Sequence, residues 1–251
     1  YYDAATKGLK FDAMLSAIEA LPAQSIVLLH ACCHNPTGVD LNPAQWTQLI
    51  EVIKARKLLP YLDIAYQGFG DGIDEDAFAL RALADAGVSF FVANSFSKSF
   101  SLYGERVGGL SVVCPDKDQA QLVIGQLMSA VRRNYSSPPT HGSVLVAKVL
   151  QTPALRQQWA DELTAMRERI KVMRQRLYDG VVAKLPGRDV RYFIDQRGMF
   201  SYTGVSPEQA ETLRTEHGVY VLRSGRMCAA GLNANNVDRV AEAFAAVLAK
   251  G

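Results

Sequence analysis

Cysteine is scarce in this chain, tryptophan scarcer, and neither sign of charge dominates. The 251 residues include four cysteines and two tryptophans. Cys32, Cys33, Cys114 and Cys228 are too few and too irregular for a disulfide framework, and the adjacent pair lacks the spacing of a zinc or thioredoxin motif. No metal site is expected, and a reducing, cytoplasmic setting is. Lysine and arginine total 27 against 25 acidic residues, a net charge of +2, with no basic run. Nucleic acid and anionic membranes are therefore not expected partners. No uninterrupted apolar run reaches the length of a membrane span. The opening YYDAATKG carries neither a signal-peptide pattern nor a starting methionine, and it is taken as the middle of a longer protein.

What is present is the composition of an ordinary globular protein, 49% hydrophobic and 21% charged. The length suits one large domain or two unequal ones. In the first half, short apolar runs alternate with amphipathic stretches, the pattern of a mostly parallel α/β sheet. The expected strands are Ser25 to Ala31, Leu58 to Ile64, Ser89 to Asn94 and Val107 to Cys114. They are continuous apolar runs, as expected where helices cover both faces. A helix between the first two begins at Asn42-Pro43 and turns Trp46, Leu49, Ile50 and Ile53 to one side. After Pro138-Pro139 the style changes to α+β. A long helix from about Ala154 to Leu185 carries Leu155, Trp159, Leu163, Met166, Ile170, Met173 and Leu177 on one stripe. Strands at Val190 to Asp195, Met199 to Thr203 and Val219 to Leu222 follow. A helix opens at the capping box Ser206-Pro207-Glu208-Gln209, and a last helix spans about Asn236 to Ala249.

The chemistry-bearing residues follow the expected strands, where open α/β sheets bind ligands. Lys98 stands in SFSKS, directly after an apolar strand and a short loop from Arg106. Desolvation and a neighbouring cation favour the neutral amine, the form that makes a Schiff base. Asp63 lies inside an apolar strand and needs a cationic or hydrogen-bonding partner, for which a pyridinium nitrogen would serve. Tyr66, three residues on, and Asn35 in HNPTG could reach ring oxygens. Arg106, Arg132 and Arg226 are candidate anion binders, since a guanidinium grips phosphate or carboxylate in two places. Singly each has a blander account: a solvated lysine, a turn-capping aspartate, a packed tyrosine, an Asn-Pro turn, a surface arginine.

Taken in order, HNPTG, LDIAYQGF, SFSKSFSLYGERVGG, RRNYSSPP, GMFSYTG and SGRMCAAGL resemble the class I aspartate/aromatic aminotransferase family. These blocks span Ala31 to Leu232, and the wording of VRRNYSSPP, GMFSYTG and SGRMCAAGLN is closer to the bacterial aromatic (tyrosine) branch. The resemblance implies a fold-type I large domain over residues 1–165 and a small domain over 166–251, joined by the long helix. It implies that pyridoxal 5′-phosphate is held on Lys98, which also moves the proton between Cα and C4′. Asp63 would hold the pyridinium nitrogen, Tyr66 and Asn35 the phenolic oxygen, and Ser95, Ser97 and Arg106 the phosphate. Arg226 would take the substrate α-carboxylate and Phe200 would line the side-chain pocket. Arg132, from the partner subunit of a homodimer with shared sites, would meet a distal carboxylate. The implied reaction is ping-pong transfer of an amino group from tyrosine, phenylalanine or aspartate to 2-oxoglutarate.

Family members begin upstream of Tyr1, so the chain is expected to lack a first strand, a phosphate-binding helix terminus and a ring-stacking tryptophan. Trp46 and Trp159, both on expected helices, read as core. Other readings stay open here: a related cofactor enzyme with another substrate, a non-catalytic aminotransferase-like module, or an inactive fragment.

Overall fold

In the computed structural model, residues 1–250 are described. A short antiparallel hairpin, β1 (Tyr2–Asp3) and β2 (Gly8–Leu9), leads into α1 (Phe11–Glu19). Then β3 (Ile26–His30), α2 (Pro43–Arg56), β4 (Leu59–Ile64), α3 (Phe78–Asp85) and β5 (Phe90–Ser95) alternate, before β6 (Gly108–Val113). The sheet order is β3-β4-β5-β6, parallel across the first three strands and antiparallel at the last. A parallel return needs a crossover element. The loop 96–107 contains none, so β6 folds back as a hairpin and pairs Gly108 with Ser95.

Helix α2 starts where its residues dictate. Asn42 accepts from the Gln45 N–H and the Gln45 side chain accepts from Asn42 N–H, both at 2.9 Å, while Pro43 occupies the first turn. Such a cap is worth about 1 kcal/mol. The buried face is Trp46, Leu49, Ile50 and Ile53, and each of these residues contributes roughly 1.5–3 kcal/mol on leaving water. Val27, Leu29, Leu62, Ile64, Phe90 and Val92 share that core. The opposite side of the sheet departs from expectation. Ile26 and Leu28 are 68% and 61% exposed, so burial along β3 alternates and this stretch of the strand lies open on that side.

Helices α4 (Lys117–Asn134) and α5 (His141–Gln151) follow, and α4 buries no residue. Then α6 (Pro153–Lys184) runs for 32 residues and buries Leu163, Arg167, Ile170, Met173, Arg174, Leu177 and Val181. The last part comprises α7 (Tyr192–Asp195), β7 (Phe200–Tyr202), α8 (Pro207–His217), β8 (Arg226–Cys228) and α9 (Val237–Leu248). Helix α9 packs along α6 and α8, and β7 pairs antiparallel with β8. The N-terminal hairpin joins this part, with Tyr2 edge-on to Tyr202 and Lys7 over the Tyr192 ring.

Two expected strands are corrected. Within 190–195 the chain forms the helical turn α7 (Tyr192–Asp195) and no strand, because Tyr192 and Phe193 are adjacent and both buried, Phe193 edge-on to Phe244. A strand would point them to opposite faces. Residues 219–222 pair with no strand. Tyr220 is exposed, and Leu222 enters a turn closed by Gly225 N–H to Leu222 O. The capping box of α8 forms as expected. Among the described residues no helix is long and apolar enough to cross a membrane.

Candidate active site

Three loops leave the carboxyl ends of β3, β4 and β5 on one side of the sheet. The first is clamped by Asp40, whose carboxylate accepts the N–H groups of Cys33 at 2.6 Å and His34 at 2.8 Å. Burial pushes the Asp40 carboxyl up to about 6 despite those bonds. Thr37 accepts from Val39 N–H and hydrogen-bonds the His34 ring. Gly38 has φ +69°, and a Cβ there would come within 2.8 Å of the Phe200 carbonyl, so only glycine fits. This frame presents Asn35. Its amide nitrogen donates to the Tyr66 hydroxyl at 3.3 Å, and its oxygen accepts from Arg226 at 2.9 Å.

Asp63 sits within β4, paired in register with His30 and Ala93. Its half-buried carboxylate carries no hydrogen bond or ion pair among the described residues. His30 Nδ1 is buried without a partner, and burial lowers that imidazole's pKa while Asp63 opposes the shift. Beyond β4, buried Tyr66 has its phenol pushed up by burial, with the Asn35 bond and Arg226 acting the other way. The following turn is tied by Asp76, which accepts from the N–H groups of Gly68, Gly70 and Asp71 at 2.8–2.9 Å. Asp76 also lies close to the Cys32 and Cys33 thiols, but each of its oxygens is already engaged by this turn.

After β5 the chain turns through Ser95, Ser97 and Lys98, with Ser97 N–H donating to Ser95 Oγ at 3.2 Å. Lys98 Nζ stands 4.7 Å from the centre of the Tyr66 ring and has no carboxylate in ion-pair range among the described residues. Trp159 on α6 fastens this loop: its indole N–H donates to the Ser99 carbonyl at 2.7 Å, and its ring stacks on Phe100 at 4.7 Å. On β8, Arg226 lies over the Phe200 ring at 4.5 Å, and that ring meets Tyr66 edge-on at 5.8 Å.

Lys98, Tyr66, Asn35, Arg226 and Phe200 are thus brought into one contact chain from five separate segments. Asp63, Ser95 and Ser97 occupy the same strand ends without bonding to Lys98. Arg106 is exposed on the 96–107 hairpin, where it donates to the Tyr103 carbonyl. Arg132 is exposed on α4, where it donates to Ser136 Oγ at 2.6 Å, and it joins none of the others. The sequence reading missed Asp40, Asp76 and the two buried arginines of α6, Arg167 and Arg174. Trp159 packs half-buried against the core, as expected, and also ties the Lys98 loop. A usable signal existed in α6, because Arg167 and Arg174 fall in the apolar stripe at the same spacing as Leu163, Ile170 and Leu177.

The chain is similar to known proteins. Tyrosine aminotransferase of Klebsiella pneumoniae is 58% identical over 248 residues, which cover 99% of this chain and 62% of that protein. The crystal structure of an aromatic-amino-acid aminotransferase from Burkholderia pseudomallei, covalently bound to pyridoxal phosphate, superposes with a TM-score of 0.97. It is 55% identical and covers 99% of this chain and 62% of its own. That of a psychrophilic aromatic amino acids aminotransferase from Psychrobacter sp. B6, cocrystallised with aspartic acid, matches with the same TM-score, 54% identity and the same coverages. The chain therefore spans a little under two thirds of the length of these relatives. The family model for aminotransferases of class I and II matches residues 1–244, and the chain belongs to that family.

Proposed function

We propose that this chain serves transamination, passing the amino group of tyrosine, phenylalanine or aspartate to 2-oxoglutarate, with pyridoxal 5′-phosphate held on Lys98. The observation that carries the reading is the arrangement of Lys98 and Arg226 about one shared support. The amine faces Tyr66, whose hydroxyl and the Arg226 guanidinium are held by the two ends of the Asn35 amide. The relatives named above support it.

The residues fit the cofactor. An amine and a carboxylate, Lys98 and Asp63, stand at the strand ends with no ion-pair partner among the described residues, as groups reserved for a ligand do. Tyr66 and Asn35 would hold the phenolic oxygen, and Ser95, Ser97 and Arg106 the phosphate. When bound, the cofactor supplies a protonated pyridine ring that withdraws the electron pair left at the substrate Cα. Asp63 keeps the proton on the ring nitrogen. Lys98 Nζ takes the proton from Cα and delivers it to C4′, acting as base and then acid. Arg226 grips the α-carboxylate, and Phe200 walls the side-chain pocket. Residues 1–165 would form the large domain and 166–251 the small one, with α6 running through both.

Arg132, contributed by the partner subunit of a cytoplasmic homodimer, would pair with a distal carboxylate. It would swing aside for an aromatic ring, because an unpaired guanidinium beside that ring is costly. The Arg132→Ala variant should then lose aspartate and 2-oxoglutarate turnover by tenfold or more (about 1.4 kcal/mol) while keeping tyrosine donation. Equal loss of both substrate classes would end that assignment.

The central test is spectroscopic. Purified protein mixed with pyridoxal phosphate should develop a visible absorption band that tyrosine bleaches, and Lys98→Ala should develop none. A band of equal strength in the variant, or none in the unsubstituted protein, overturns the reading.

A further inference from the structure

Arg174 is 4% exposed and sits in the apolar stripe of α6 between Ile170, Met173 and Leu177. Among the described residues it has no ion-pair partner, and its Nε has no hydrogen-bond partner. Burial pushes its pKa down to about 10, so it remains charged at neutral pH. A lone buried guanidinium is expensive, and an apolar side chain of similar volume would complete the stripe at lower cost. Its compensation consists of three backbone carbonyls: Phe193 at 2.9 Å, Gly198 at 2.9 Å and Phe200 at 2.5 Å.

Two of those carbonyls belong to the segment that makes the substrate end of the site. The Phe200 ring is the surface on which Arg226 lies and the edge that Tyr66 meets. The Phe200 carbonyl abuts Gly38 of the Asn35 loop, and Arg197 N–H donates to the Gly38 carbonyl at 2.7 Å. Strand β7, which begins at Phe200, pairs Tyr202 with Arg226 itself. The backbone that Arg174 grips is therefore where the ring, the Asn35 loop and the Arg226 strand converge.

We propose that Arg174 is a positioning residue for carboxylate recognition: by holding the Gly198 and Phe200 carbonyls it fixes the Phe200 ring and so the aim of the Arg226 guanidinium. This rests on the reading that Arg226 grips the substrate carboxylate. Arg174 does not touch substrate. Its loss should weaken binding of the carboxylate and leave the Lys98 end of the site intact.

The test compares Arg174→Met and Arg174→Lys with the unsubstituted protein loaded with pyridoxal phosphate. Methionine keeps the apolar fit and removes all donors, and lysine keeps the charge with poorer geometry. The readouts are the visible band, KM and kcat for tyrosine, and dissociation constants for two unreactive probes, 3-phenylpropanoate and 3-phenylpropylamine. Arg174→Met should raise the tyrosine KM and the 3-phenylpropanoate constant together by about tenfold. The band, the 3-phenylpropylamine constant and kcat should stay within about threefold, and Arg174→Lys should fall between. Equal weakening of both probes would mean general loosening and overturn the proposal, as would an unchanged KM or a loss confined to kcat. If the methionine variant does not fold, the lysine variant decides the question by the same split between probes. Absence of a band from the unsubstituted protein would instead overturn the functional reading, and the proposal with it.

Discussion

Helices α4 and α6 both carry large apolar side chains, which meet opposite fates. Leu163, Ile170 and Leu177 of α6 are at most 2% exposed, whereas Leu122 and Met128 of α4 are 73% and 67% exposed. The sheet repeats the contrast, with Val27 and Leu29 buried and Ile26 and Leu28 open. An apolar stripe records that a surface is to be covered and says nothing about what covers it. On α6 the cover is shared by α9 and the site: Trp159 meets the Lys98 loop, Leu163 packs on Gly68, Arg167 donates to the Gly68 carbonyl, and Arg174 holds the Phe200 turn. On α4, which carries Arg132, the face of Val123, Leu127 and Val131 is only half covered, and Leu122, Ile124 and Met128 stand open.

The sharpest way to break this contrast is a pair of truncations. Leu163→Ala should cost about 2–5 kcal/mol of unfolding free energy by denaturant titration. Leu122→Ala should stay within about 0.5 kcal/mol. A comparable loss at Leu122 would mean that α4 is covered in solution, and its dependence on protein concentration would tell whether a second copy covers it.

The tied loops should also carry a pH response. Asp40, raised by burial to about 6 from an ordinary 3.8, contributes stability that is complete below 3.8 and lost as pH rises through about 6. His34, lowered to about 4 from 6.5 by burial, and further by His30 and the N-terminal amine, contributes stability that is complete above 6.5 and lost as pH falls through about 4. The two oppose each other across that window. Asp40 carries up to about 3 kcal/mol, and His34 carries less because its ring is more open to solvent screening. Asp40→Asn should leave a stability that rises with pH between 4 and 6.5, and His34→Gln one that falls, in unfolding titrations at stepped pH. Parallel slopes in the two variants would contradict the assignment.

The smallest expected effect lies at the hydrogen bonds that end each helix's reach. Trp159→Phe keeps the stack on Phe100 and drops the bond to the Ser99 carbonyl, and it should cost about 1 kcal/mol by thermal unfolding. Removing the exposed Arg132–Ser136 bond by Ser136→Ala should cost no more than about 0.5 kcal/mol. Equal costs would erase the difference between the helices.

Much of the molecule was legible before its structure. Strands β3 to β6, the capped starts of α2 and α8, and the extent of α6 follow from local signals: apolar runs, Asn-Pro and Ser-Pro caps, and a 3.6-residue period. Asn35, Asp63, Tyr66 and Lys98 were legible because polar residues directly after apolar strands fall on one side of an α/β sheet. Residues 190–195 and 219–222 were misread because short apolar runs suit a strand or a buried turn equally, and packing against Phe244 decided the first. Asp40 and Asp76 were missed because an aspartate that ties a loop to itself looks in sequence like any turn aspartate.

The sequence by itself determined the strand–helix alternation and the family, since these depend on residue type and local spacing. Tertiary structure alone decided that Asn35 bridges Tyr66, 31 residues away, and Arg226, 191 residues away. It also decided that a single face of α6 supports three loops of the site, and that α4 is left largely open. Those outcomes depend on which surfaces meet, and neither the period nor the propensity of a segment encodes its partner.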